Sequence, residues 1–149
     1  MIYFEDIAEG HEFVSVRRTV TEADLVNFAG VSGDFDKLHT DDIFIKEETP
    51  FSGRIAHGLL VTAIQSGLRC EATDWQTIGY LGLDRRFQAA VYPGNTIHAR
   101  YRILSVRPSN SRPDCGVVTM RCEVVDDNDT IVQSGDDAYL LLRRGARDD

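Results

Sequence analysis

The sequence predicts an α+β fold in which a long antiparallel sheet packs around one apolar helix. From Gln76 onward, apolar and polar residues alternate, which is typical of antiparallel strands with one covered face. Before that point, residues 60–68 carry apolar or small side chains at helical spacing. The length of 149 residues suits one domain, which we place at 1–149.

The net charge and the lengths of the apolar runs indicate which kinds of partner the protein can have. The formal net charge of −8 argues against nucleic acid as the main partner. A phosphorylated cofactor is not excluded, because the positive charges of Arg85–Arg86, Arg100 and Arg102 could locally oppose the negative net charge. Solvated surface positions are the simpler interpretation of these arginines. No apolar run approaches the ~18 residues of a membrane span. The beginning of the chain, MIYFEDIAEG, lacks the basic start and apolar core of a signal peptide. We therefore expect a cytoplasmic protein with no membrane partner.

A strand and a helix are predicted first. Residues 12–20 alternate as one strand. Its apolar face carries Val14, Val16 and Val20. Thr21 is a good N-cap for the helix that follows, and Asp24 three residues later gives a weaker form of the capping box. Gly30 and Gly33 are expected to end that helix.

Two chemically active residues follow in the segment GDFDKLH. Asp34 and His39 are five residues apart, which on a regular helix places their side chains ~140° apart around the axis. They can converge only if the segment bends, and Gly33 permits a bend. Residues 41–54 are predicted to form a loop or an irregular helix, broken at Pro50, that could cover a pocket.

The apolar helix is expected to lie at the centre of the fold. Its stripe consists of Leu60, Ala63, Ile64, Gly67 and Leu68. The free backbone N–H groups of its first turn, near Gly58, can bind a developing negative charge.

Four strands are predicted after that helix. They occupy residues 76–91, 97–103, 118–124 and 130–143. Gly135 suggests a bulge in the last of them. One helix cannot cover both faces and both edges of such a sheet, so we expect a homodimer or a higher assembly of dimers.

The segment GDFDKLHTD, followed by PFSGRIAHGLL and later by RRFQAAVYPGN, resembles the motifs of the MaoC-like hot-dog dehydratases, the (R)-specific enoyl-CoA hydratases. The resemblance covers about residues 12–142. It implies a single hot-dog domain, usually dimeric, whose sites lie near the subunit interface. It also implies that Asp34 and His39 are the catalytic pair and that the N–H of Gly58 polarises the thioester carbonyl. Ser66 matches a serine that supports this network.

Three further positions lie within or beside these motifs. His57 precedes the helix and is expected to support the site by fixing the loop. Asp36 and Lys37 replace the family's usual Asn-Pro, and Asp36 could shift the pKa of Asp34 or His39. This departure leaves the acid–base motif intact and the substrate preference open.

We therefore predict a hydro-lyase that interconverts a 2-enoyl-CoA and an (R)-3-hydroxyacyl-CoA by acid–base catalysis. Apart from the coenzyme A thioester, which is the substrate, we expect no cofactor and no metal.

A hot-dog thioesterase is an alternative, but those enzymes usually place a carboxylate on or near the central helix, which here has no acid before Glu71. A non-catalytic acyl-binding module is a second alternative. A third is a dehydratase of branched or dicarboxylic acyl-CoA, of the mesaconyl or methylmalyl type, in which Lys37, Lys46 or Arg54 would meet a second carboxylate.

Overall fold

A computed structural model describes residues 1–146, so the last three residues of the predicted domain lie outside the described range. The strands are β1 (Glu12–Val14), β2 (Arg18–Thr19), β3 (Thr77–Leu83), β4 (Arg86–Phe87), β5 (Thr96–Pro108), β6 (Cys115–Val125) and β7 (Ile131–Leu142). The helices are α1 (Glu22–Ser32), α2 (Lys37–Thr40), α3 (Asp42–Glu48) and α4 (Gly58–Gly67). None of the helices in residues 1–146 is long and apolar enough to span a bilayer.

The strands form one antiparallel sheet that curves around α4. Their order is β1-β5-β6-β7-β3, while β2 pairs with β5 and β4 pairs with β7. Leu60, Val61 and Ile64 of α4 belong to the same buried cluster as Ile103 and Met120 of the sheet. The predicted hot-dog arrangement of a sheet wrapped around a central helix is confirmed.

The two long inner strands follow the predicted alternation. On β5, residues 97, 99, 101 and 103 are at most 4% exposed. On β6, residues 118, 120, 122 and 124 are at most 1% exposed. The alternation holds because one face of both strands is covered by α4 and the other is not.

The helix before the site also begins and ends as expected. The Thr21 hydroxyl accepts from the Asp24 N–H, and the Asp24 carboxylate accepts from the Thr21 N–H at 2.8 Å. Gly33 takes a left-handed conformation with φ of 75° and caps the end of α1, whereas Gly30 lies within the helix and does not end it. Within residues 41–54, α3 forms the irregular helical part, and the chain after it is a loop.

The prediction of one strand over residues 12–20 is wrong. The chain breaks between β1 and β2 at Ser15, whose N–H and hydroxyl bond the carbonyl and N–H of Ala99 at 2.9 and 2.8 Å. Ser15 is therefore buried, whereas Val14 and Val16 are 61% and 53% exposed. The hydrogen bonds of Ser15 to the neighbouring strand turn Val14 and Val16 outward, while Val20 of the same predicted face is buried.

The prediction of one strand over residues 76–91 is also wrong. It divides into β3 and β4, and the expected inward positions Leu81, Leu83 and Phe87 are half-exposed. The segment between the two strands crosses β7 at Gly135, where a side chain would collide with the carbonyl of Asp84. Gly135 itself pairs regularly with Cys122, so it marks a close crossing rather than the predicted bulge.

A buried ion pair joins this crossing to the central helix. The Arg85 guanidinium lies 2.7 Å from the Asp137 carboxylate, and the two side chains are 3% and 0% exposed. Arg85 also donates to Oε1 of Gln65 on α4, and the Tyr80 hydroxyl donates to Asp137. Burial and the Asp137 carboxylate raise the pKa of Tyr80 to about 12, so this hydroxyl keeps its proton at neutral pH. Arg85 was expected to be solvated or to contact a phosphate. Both expectations are wrong, because its guanidinium is buried and paired with Asp137.

Candidate active site

A cavity of about 620 Å³ lies where α1, the loop before α4, β4 and β7 meet. That volume is in the usual range of small-molecule sites. Its apolar wall includes Phe28, Phe51, Val61 and Phe87. Its polar side chains include those of Asp34, His39, His57 and Gln133. Mostly apolar walls with a few convergent polar groups favour an acyl substrate over a highly charged one.

The predicted pair, Asp34 and His39, is brought together in this cavity. One ligand atom each from Asp34, His39 and His57 lies within 4.8 Å of the others. Convergence is possible because the chain is not helical from Gly33 to Asp36. The Asp34 carboxylate accepts from the Asp36 N–H at 3.2 Å, which holds the turn. The bend that the spacing demanded is therefore present.

The proton on the His39 ring is placed by a backbone carbonyl. Nδ1 of His39 lies 2.7 Å from the carbonyl oxygen of Ile55, which can only accept, so Nδ1 donates. In the neutral ring Nε2 is then the unprotonated nitrogen. This is the form of histidine that can take a proton from water.

His57 holds both catalytic candidates in place. Its Nε2 donates to the backbone carbonyl of Asp34 at 2.9 Å, and its ring stacks on His39 with centroids 3.7 Å apart. His57 is 2% exposed, and Phe28 packs against it at 5.0 Å. A buried ring with these contacts fits the supporting role that the sequence suggested.

The N-terminus of α4 presents unpaired donors to the cavity. Within residues 1–146 no side chain caps this helix, and the N–H groups of residues 58–60 have no backbone acceptor. The first turn carries no acidic residue that would neutralise the helix dipole. At Gly58, a Cβ atom would come within 2.9 Å of the Phe87 ring. Because Gly58 has no side chain, the Phe87 ring can pack against the first turn of α4, which carries the free N–H groups.

The structure does not bring Ser66 to the pair. Ser66 lies eight residues after Gly58, ~12 Å along the helix, and its exposed hydroxyl donates to the Ala63 carbonyl at 2.8 Å. Asp36 caps α2 by accepting from the Leu38 N–H at 2.9 Å. Within this chain, then, neither side chain contributes to the described cavity.

Two functional candidates were missed from the sequence. Gln133 lines the cavity and is 2% exposed, and Thr62 donates to it from α4 at 2.9 Å. The available signal was that Gln133, Gly135 and Asp137 occupy alternate positions of β7 and share its inward face. Polar residues at inward positions indicate a buried polar contact.

The cluster of Asp34, His39 and His57 does not favour a bound metal ion. Metals bond in the plane of an imidazole ring at ~2.0–2.1 Å. The two rings are nearly parallel, 26° apart, so one ion between them would lie far out of both planes. His39 Nδ1 and His57 Nε2 are already bonded to carbonyls, so only His39 Nε2 and His57 Nδ1 would be open to an ion.

Thiol chemistry is disfavoured as well. Burial raises the pKa of Cys122 to about 12, which keeps this thiol protonated, and burial also raises the pKa of Cys70. No cysteine lines the cavity in the described part of the chain. The site is therefore built from carboxylate, imidazole and backbone amide groups.

The fold and the site together define a class: hot-dog proteins in which an Asp/His pair faces the N-terminus of the central helix. Residues 6–125 match the family described as MaoC like domain, and the chain belongs to this family. The resemblance that the motifs suggested is confirmed.

Two relatives match most of this chain or a long part of it. The chain is 32% identical over 145 residues to an (R)-specific enoyl-CoA hydratase of Rhodospirillum rubrum, covering 96% of this chain and 94% of that protein. It is 40% identical over 99 residues to Protein MaoC of Klebsiella aerogenes, which is 66% of this chain but only 29% of that longer protein.

Solved structures agree on the fold. A MaoC-like dehydratase from Rhodospirillum rubrum superposes with a TM-score of 0.84 at 28% identity, covering 97% of this chain and 99% of that one. A double-hotdog protein of Mycobacterium tuberculosis, 21% identical, has a TM-score of 0.83 over 96% of this chain and 44% of its own. At that identity the second likeness concerns the fold alone.

Proposed function

We propose that this protein is a hydratase/dehydratase that interconverts a 2-enoyl-CoA and an (R)-3-hydroxyacyl-CoA. The observation that carries the proposal is the convergence of Asp34 and His39 in a cavity that also contains the uncapped N-terminus of α4. The names of the relatives from Rhodospirillum rubrum point to the same reaction, including its (R) stereochemistry.

Each requirement of hydration has a candidate group in the cavity. A water must lose a proton as its oxygen bonds the β-carbon, and the α-carbon must gain a proton. Asp34 and His39 share these roles around one water. The electron pair of the double bond moves toward the thioester oxygen, where the first-turn N–H groups at Gly58 can stabilise the enolate-like charge. In this scheme the protein's own residues move both protons, and the coenzyme A thioester is the substrate.

Thioester hydrolysis is the less favoured reaction. It needs a nucleophile or base directed at the carbonyl carbon, and α4 carries no carboxylate. The buried carboxylate of Asp137 is bonded to Arg85 and does not line the cavity. An acyl-binding module would require no convergence of Asp34 and His39.

The reaction is tested by loss of the enoyl-thioester absorbance when the protein meets crotonyl-CoA or mesaconyl-CoA. We expect absorbance to fall without release of thiol. Thiol release measured with a colorimetric reagent would instead indicate a thioesterase. Calorimetric binding of the thioester without turnover would support the binding module and refute the proposed reaction.

Arg54 is expected not to select a dicarboxylic substrate. Its Nε donates to Asp42 at 2.8 Å and its Nη2 to Glu22 at 3.2 Å, so two carboxylates already neutralise it. We therefore expect Arg54→Ala to change KM for mesaconyl-CoA and crotonyl-CoA by the same factor. Steady-state kinetics check this, with Arg18→Ala, which breaks a comparable pair with Asp24, as the control. A much larger rise in KM for mesaconyl-CoA alone would restore the diacid alternative.

We also propose that the protein is a homodimer. In residues 1–146, β3 ends the sheet and pairs only with β7, and this edge carries half-exposed Leu81 and Leu83. An apolar edge strand is a surface that proteins ordinarily cover. Light scattering is expected to give twice the chain mass of 16.7 kDa. A mass equal to one chain at micromolar concentration would refute this.

A further inference from the structure

Gln133 is a buried amide whose hydrogen bonds both reach α4. Its Nε2 donates to the carbonyl of Gly58 at 2.6 Å, and its Oε1 accepts from the hydroxyl of Thr62 at 2.9 Å. A carbonyl can only accept, so the orientation of the amide is fixed by its neighbours. The side chain is 2% exposed and lines the cavity. Burying such a group costs free energy unless it is hydrogen-bonded, and here each end of the amide has a partner.

The carbonyl that Gln133 contacts belongs to the first peptide group of α4, whose N–H lies at the cavity. The carbonyl of Gly58 and the N–H of Leu59 are parts of one planar amide. Both residues line the cavity, and within residues 1–146 the N–H of Leu59 has no acceptor. A donor on the carbonyl end polarises the amide and makes the N–H end a stronger donor.

We infer that Gln133 is a positioning residue for the proposed reaction, acting through the first peptide group of α4. It fixes the direction of the donors at Gly58 and Leu59 and strengthens the second of them. The Thr62 hydroxyl lies 2.9 Å from Oε1 of Gln133 and 3.2 Å from the Gly58 carbonyl, and by giving its one proton to the shorter contact it locks the amide in that orientation. The inference rests on the proposed function, since these donors stabilise the enolate-like oxygen only if that charge forms.

A second buried glutamine supplies a matched control. Gln65 is also 2% exposed and lies on α4, but it bonds Arg85 and Tyr101 and does not line the cavity. Replacing either glutamine by methionine removes an amide while keeping a similar volume. Only the change at position 133 leaves the Gly58 carbonyl without its side-chain amide donor.

Steady-state kinetics with crotonyl-CoA give the first test. We expect Gln133→Met to lower kcat about tenfold, the loss of one hydrogen bond of ~1.4 kcal/mol, with KM within about threefold of wild type. Gln65→Met is expected to lower the melting temperature and to leave kcat unchanged. An unchanged kcat in Gln133→Met, or an equal loss of kcat in both variants, would overturn the inference.

Nitrogen-15 NMR of the ligand-free protein gives a second test that does not depend on activity. We expect the amide proton of Leu59 to move upfield in Gln133→Met and to stay in place in Gln65→Met. An unmoved Leu59 resonance in Gln133→Met overturns the inference whatever the kinetics give. If the wild type turns over no enoyl thioester, the proposed function fails, and the Leu59 resonance alone decides whether Gln133 polarises this peptide.

Discussion

Replacing Asp34 by asparagine or His39 by alanine is expected to lower kcat for crotonyl-CoA by about 10²–10⁴-fold, because positioned proton transfer contributes that much. Asparagine keeps the shape of Asp34 but cannot take a proton. Alanine removes the Nε2 of His39 that the Ile55 carbonyl leaves unprotonated. The loss is measured from the decay of the enoyl-thioester absorbance under saturating substrate.

An aspartate and a histidine that do not line the cavity serve as controls for these variants. Asp36→Asn keeps a good N-cap on α2 and does not touch the cavity, and His11→Ala removes a surface contact with Glu71. Both are expected to retain near-normal kcat. Far-UV circular dichroism establishes that all four variants fold. Full activity in folded Asp34→Asn and His39→Ala would refute the assignment of the pair.

Replacing Asp137 by asparagine is expected to lower the free energy of unfolding by about 3–5 kcal/mol, because it leaves the charge of Arg85 buried without its partner. That is a large part of the ~5–15 kcal/mol that stabilises an ordinary domain. Urea unfolding measures the difference, with an unchanged m-value expected if only stability is altered.

The adjacent residue gives a matched comparison for this variant. Asp136 forms an ion pair with Arg121 at 3.0 Å, but both side chains are more than a third exposed. Asp136→Asn is therefore expected to cost at most about 1 kcal/mol. The double change Arg85→Met with Asp137→Leu is expected to recover most of the lost stability, since no buried charge remains. A cost below about 1 kcal/mol for Asp137→Asn would mean that water reaches Arg85.

Most of the helical elements and the inner strands could be predicted from local patterns. Thr21 and Asp24 mark a helix start because the capping contacts lie within four residues. Residues 97–103 and 118–124 alternate because α4 covers one face of each strand. The outer strands could not be predicted in the same way. Ser15 is buried because of its bonds to Ala99, which is 84 residues away in the chain.

The candidate site also has features that local sequence predicts and features that depend on residues distant in the chain. The spacing of Asp34 and His39 required a bend, and the capping turn at Gly33 supplied a local reason for it. The distance between the two side chains depends on contacts with residues 55–57, which hold both of them. Gln133 was overlooked because its partner, Gly58, is 75 residues away. Ser66 matches the family's motif, yet within one chain it points away from the cavity that Gly58 lines.

The sequence by itself determined the α+β class, the apolar helix, the alternation of the inner strands and the choice of Asp34 and His39 as the proposed acid–base pair. These depend on spacing, capping and motif residues that are close together in the chain. Only the tertiary structure decided which polar side chains are buried and which donors meet the cavity. The burial of Arg85 with Asp137 and of Gln133 against α4 depends on long-range bonds that offset the cost of removing polar groups from water.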